Sequence, residues 1–173
     1  DRSLVGSEMC IRDSGNTWSS ISNTVSVSAN YFNWQVPNIV SDQARIRISR
    51  NGISDESDTS FTIVKVPSNL NINWICPDSI YVSWNIVSGA TSYEVSMLGQ
   101  KYMDSMTNVT STATWIINPN PSVIDSWFSV RSLVNASKGR RAIAVNAQSI
   151  NNGCVAPPIA MFNVLNSPSC SGE

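Results

Sequence analysis

Residues 77–95 read PDSIYVSWNIVSGATSYEV, and this stretch decides the fold. Ile80, Val82, Trp84 and Ile86 alternate with Tyr81, Ser83 and Asn85. An apolar residue at every second position marks a strand with one face in a core and one toward water. Ser88-Gly89 breaks the pattern, and Tyr93, Val95 and Met97 resume it. Two strands joined by a polar, glycine-containing turn are the unit from which antiparallel sheets are built. The same alternation recurs at Gln43–Ser49, Ser111–Ile117 and Ser126–Val134, and no stretch sustains a period of 3.6. The expected fold class is all-β, as tandem antiparallel β-sandwiches.

Composition agrees and excludes several function classes. Charged residues make up only 13% of the 173-residue chain, and hydrophobic residues 42%. A net charge of −1 gives nothing to neutralise a phosphate backbone, so nucleic acid is not an expected partner. Histidine is absent, which removes the commonest general base and metal ligand. No apolar run approaches the ~20 residues that span a bilayer as a helix, so membrane insertion is not expected. No nucleophile elbow, phosphate loop or metal-binding helix motif occurs, and Glu94, Asp104 and Asp125 have no evident acid–base partner. Neither catalytic residues nor cofactors are expected.

Turn signals divide the chain. Residues 15–66 hold expected strands at Thr17–Ile21, Asn30–Val36, Gln43–Ser49 and Ser60–Val66, with Asn51-Gly52 as a turn. Pro67-Ser68-Asn69 is a short linker. Residues 67–151 hold seven expected strands: Asn69–Ile75, the opening strand after Asp78, Thr91–Leu98, Lys101–Met106, Ser111–Ile117, Ser126–Val134 and Arg140–Asn146. Ser137-Lys138-Gly139 is the expected last hairpin turn. Residues 152–173 contain the linker Ala156-Pro157-Pro158 and one further strand.

The second segment resembles a fibronectin type III domain. Val82-Ser83-Trp84, Gly89–Val95, Phe128–Arg131 and Gly139 carry the resemblance, and Tyr93–Asp104 with Gly139–Val145 resembles a variant found in secreted bacterial proteins. The tyrosine that usually opens the sixth strand falls on Ser126, so the tyrosine-corner hydrogen bond is not expected. Residues 15–66 resemble the back half of an immunoglobulin- or fibronectin-like repeat, through Gly15–Trp18, Asn33–Asn38, Ala44–Ser49 and Ser57–Ile63. Ile159–Val164 and Cys170–Glu173 resemble the opening of a PKD repeat. Residues 1–14, DRSLVGSEMCIRDS, resemble translated sequencing-adapter read-through and are expected to stand apart from the fold. The first sandwich is then expected to be truncated.

In a fibronectin-like sandwich Cys76 and Cys154 fall where the two ends of the second segment meet. A disulfide between them would close a loop of roughly 80 residues, worth about 4–5 kcal/mol in the chain-entropy model. Two free thiols are the other reading. Asp55-Glu56-Ser57-Asp58 is the one acidic cluster; it offers two or three oxygens to a hard cation, or is a solvated hairpin. Arg45, Arg47 and Arg50, and Lys138, Arg140 and Arg141, read as strand charges that discourage edge pairing. Asn108-Val109-Thr110 and Asn135-Ala136-Ser137 match the glycosylation sequon. Six tryptophans raise the question of carbohydrate stacking. Trp34, Trp74 and Trp84 are expected in cores, leaving Trp115 and Trp127 as the candidates for a surface patch.

The resemblance implies a non-catalytic spacer or presentation module of a secreted or cell-surface multidomain protein, an adhesin or extracellular hydrolase. Its partners would be neighbouring domains of the same chain, with extracellular polysaccharide or protein as further ligands. A polysaccharide- or protein-binding module is the alternative.

Overall fold

A computed structural model describes residues 7–13, 15–25, 31–75, 79–117 and 127–147, with the side chains of 73–75 outside the description. Among the described residues the fold is all-β and every strand pairing is antiparallel.

The first unit is a single five-stranded sheet. It comprises β1 (Ser7–Arg12), β2 (Ser19–Val25), β3 (Ser41–Arg50), β4 (Ile53–Glu56) and β5 (Phe61–Ile63). The order is β2-β1-β3-β4, with β5 pairing the other half of β3. β3 to β4 is a tight hairpin. Asn51 and Gly52 both take positive φ, 51° and 79°, the backbone that a twisted two-residue turn demands.

The expectation that residues 1–14 stand apart is corrected for 7–12. β1 is an interior strand whose Met9, Cys10 and Ile11 are all buried. Its Met9 and Ile11 register against Ile48 and Ile46 of β3, so the alternating apolar face matches its neighbour. A second correction concerns 31–36. They form no strand, and Trp34 and Ile39 instead pack over Ile11, Ala44 and Ile63 on the sheet's inner face. Pro37, which cannot donate to a ladder, ends that run. The acidic run is split, with Asp55 and Glu56 in β4 and Ser57 and Asp58 in the loop after it.

The second unit is a two-sheet sandwich. Its strands are β6 (Asn71–Ile75), β7 (Ser79–Ser83), β8 (Ser92–Leu98), β9 (Met103–Val109), β10 (Ala113–Ile117), β11 (Trp127–Val134), β12 (Ser137–Arg141) and β13 (Val145–Asn146). One sheet runs β10-β7-β6 and the other β12-β11-β8-β9, with β13 also on β11. Trp84, Tyr93, Val95, Phe128 and Val130 join Leu70, Ile72, Ile80, Val82, Val87, Ile116 and Ala147 in one core. The Tyr93 ring meets the Trp84 ring edge-on at 5.4 Å, and its hydroxyl accepts from the Val87 N–H at 2.8 Å. That bond pins the loop after Trp84 to the core.

The last hairpin differs from expectation. Its turn is Asn135-Ala136, with φ of 48° and 69°, and Ser137–Gly139 already belong to β12. Gly139 and Arg140 then face the single residue Ser132, because Leu133 pairs with Lys138 while Arg131 pairs with Arg141. The extra residue is a β-bulge.

The two units meet along this hairpin. Ser132 Oγ donates to the Lys65 carbonyl and Asn135 Nδ2 to Asp42 Oδ2, each at 3.1 Å. Two glycines make room for two valines. A methyl on Gly139 would stand 2.5 Å from Val64 Cγ1, and one on Gly89 would stand 2.7 Å from Val40 Cγ2.

Candidate functional site

The two candidate tryptophans lie on different sheets. Ile116 of β10 points into the core, so Trp115 beside it points outward, 47% exposed. Phe128 of β11 is likewise in the core, so Trp127 faces out from the opposite sheet, 43% exposed. They look away from opposite sides of the sandwich and cannot form one patch. Trp115 instead sits 5.0 Å from the Tyr81 ring, with exposed Ile117 on the same face of β10. Trp127 shares its face with Ser129, Arg131 and Leu133.

That second face holds a cluster that alternation alone does not reveal. Glu94 on β8 is 1% exposed and registers against Arg131 of β11. Arg131 Nη2 stands 2.5 Å and Arg141 Nη2 3.1 Å from Glu94 Oε1, while Lys138 Nζ stands 3.0 Å from Oε2. Arg141 Nη2 also donates to Ser96 Oγ and to the Met103 carbonyl. Lys138 and Arg141 are three apart, so a regular strand would send them to opposite faces. The bulge at Gly139-Arg140 brings both to the face of Arg131. Burial pushes the Glu94 carboxyl up, but Lys138 and Arg131 outweigh it and hold the pKa below the usual glutamate value. The Nε groups of Arg131 and Arg141 are buried and have no acceptor.

On the outer face of the first sheet, Trp18 lies between two cations, with Arg47 at 4.3 Å and Arg12 at 5.1 Å from the ring. Arg45 donates through Nη1 to the Ser57 carbonyl. Cys10 registers against Arg47 and is a free, buried thiol; burial first, then Glu8, pushes its pKa up, which makes it a weak nucleophile at neutral pH. Asp55 and Glu56 are successive strand residues and point to opposite faces, so with Asp58 they form no shared cage. Among the described residues no three His, Cys, Asp or Glu side chains gather as a metal site. Asn108 is exposed on β9, whereas Asn135 is engaged with Asp42. Cys76, Cys154, Cys170, Asp125 and the PKD-like stretch lie outside the described residues. No helix among the described residues is long and apolar enough to cross a membrane.

No family model and no curated protein matches the chain. Among solved structures, it is similar to a two-domain fibronectin type III segment of chicken tenascin, at 15% identity over 81% of this chain and 83% of that one, TM-score 0.43. It is also similar to domains d3–d4 of the rat CD45 extracellular region, at 13% identity over 76% and 77% of the two chains, TM-score 0.43. A third match, FN3tt, covers 49% of this chain and 98% of its own at 13% identity, TM-score 0.42. The likeness is one of fold.

Proposed function

We propose that the chain is a non-catalytic spacer and presentation segment of a secreted or cell-surface multidomain protein, such as an adhesin or an extracellular hydrolase. The observation that carries this reading is the joint between the units. Two hydrogen bonds and two valine–glycine contacts span it. A free hinge has no use for such contacts; a spacer that holds its neighbours at a set distance and angle does. The low charge content suits an exported β-protein. The first sheet, with β1 included, as part of an immunoglobulin- or fibronectin-like sandwich, 67–151 as a complete fibronectin type III module and 152–173 as the start of a PKD-like repeat belong to this proposal. The open inner face of the first sheet, where Ile11, Ile21, Trp34 and Ile39 line a cavity of about 490 Å³, supports the first of these. NMR relaxation on the whole chain tests the spacer reading: a single rotational correlation time for both units is expected. Independent tumbling would defeat it.

The second reading is a module that binds polysaccharide or protein. The half-exposed Trp115 beside Tyr81, with Ile117 exposed on the same strand face, supports it. Pull-down on insoluble polysaccharide, compared with Trp115→Ala, separates the two readings. Binding lost in the variant establishes the module.

A further inference from the structure

On the face of the β12-β11-β8-β9 sheet that turns from the core, three cations meet one carboxylate. Two positive charges are left without a counterpart. The rest of that face offers no second acid among the described residues. β8 contributes Ser92, Ser96 and Leu98 beside Glu94. β9 contributes Met103, Ser105 and Asn108, which register against Leu98, Ser96 and Glu94. β11 adds Trp127, Ser129 and Leu133. A structural ion pair needs one cation for one carboxylate. Here the surplus is partly at the surface, with the Lys138 side chain 53% and the Arg141 side chain 28% exposed.

The same face carries a half-exposed indole on the same strand as Arg131. Trp127 and Arg131 are four residues apart, about 13 Å along a strand. One hydroxyl and one amide, from Ser105 and Asn108, line the edge. Flat aromatic surface suits a sugar ring, and ammonium and guanidinium groups suit oxyanions. An acidic peptide would meet the same cations, and polyglutamate tells the two ligands apart below. We propose that this sheet face binds a polysaccharide bearing carboxylate or sulfate groups, with Lys138 and Arg141 taking the oxyanions and Trp127 stacking a ring farther along the same chain. Glu94 and Arg131 are positioning residues. The buried carboxylate holds the three cations together against their mutual repulsion.

The proposal rests on the binding-module reading but moves the ligand from the Trp115 face to the opposite one. The test is affinity electrophoresis of the whole chain through gels containing polygalacturonate, dextran sulfate, uncharged dextran or polyglutamate. Retardation by polygalacturonate or dextran sulfate, falling as salt is raised, is expected, and which of the two retards more identifies the oxyanion. Lys138→Ala should weaken it about tenfold, the worth of one charge-assisted hydrogen bond, while circular dichroism shows the fold retained. Trp127→Ala should weaken it as well, and Trp115→Ala should leave it intact. Migration unaffected by either acidic polysaccharide would overturn the proposal. So would polyglutamate retarding as strongly as the polysaccharides, or binding that survives Lys138→Ala. Loss of binding in Trp115→Ala alone would return the ligand to the other face and leave the binding-module reading standing.

Discussion

Asn135, at the tip of the last hairpin, donates its side-chain amide to Asp42, at the start of β3, across 3.1 Å and 93 positions of chain. The bond closes over the same joint that receives Val64 against Gly139. Gly139→Ala should therefore act on the joint first. Its methyl would stand 2.5 Å from Val64 Cγ1 and 3.0 Å from the Ser132 carbonyl, so Val64 must withdraw. The expected cost is about 1–3 kcal/mol, as for other overpacked sites. Chemical shift changes at Val64 and Lys65, in the other unit, would verify the route; changes confined to β11 and β12 would refute it.

Glu94→Gln should destabilise the second unit by about 3 kcal/mol, because three cations would then face one another over a neutral side chain. The pH dependence follows from the lowered pKa of Glu94. The unfolded chain takes up the proton first as pH falls. The carboxylate's contribution is therefore complete above the ordinary glutamate range and is lost as pH drops through the folded-state value. The groups that face it are Arg131, Lys138 and Arg141. Urea midpoints of the wild type and Glu94→Gln should accordingly converge as the solution is acidified, and a gap independent of pH would contradict the account.

Tyr93→Phe keeps the ring against Trp84 but leaves the buried Val87 N–H without its acceptor. A loss of about 1–3 kcal/mol is expected. Hydrogen exchange at Val87 should accelerate more than at Val95, whose ladder bonds are untouched.

Ala136 holds φ at 69°, a region that disfavours a side chain with a Cβ. Ala136→Gly should therefore stabilise the hairpin, by about 0.5–1 kcal/mol after the added entropy of the unfolded chain is subtracted. A rise of the thermal midpoint by a few degrees would bear this out. A fall would mean that the turn is set by contacts at its tip.

Strands with one face in a core were legible wherever a neighbour was already paired. The Trp84 strand, Tyr93–Met97 and Phe128–Ser132 came through because alternation alone marks them. The run at 31–36 alternates just as well, but alternation states only that a face is apolar, and that face is served by packing Trp34 over a sheet. β1 is masked in the sequence by its resemblance to a contaminant, although Met9 and Ile11 show strand spacing. The last turn is hard to read because Gly139 has the look of a turn residue and Ala136 does not. The Glu94 cluster stayed hidden for the same reason: a single inserted residue shifts the side-chain parity of everything after it. Of the two candidate tryptophans, exposure could be read from their strands, but which sheet each belongs to depends on pairings remote in sequence.

The bulge at Gly139-Arg140 answers to two constraints at once. Its extra residue aligns Lys138 with Arg141 over Glu94, and its missing side chain admits Val64 from the other unit. Deleting a residue there would restore a regular ladder and scatter the cations; adding a side chain would force the units apart. Position 139 is thus a point of pleiotropy: drift at the joint and drift at the charged face are inherited together, and neither can be tuned without the other.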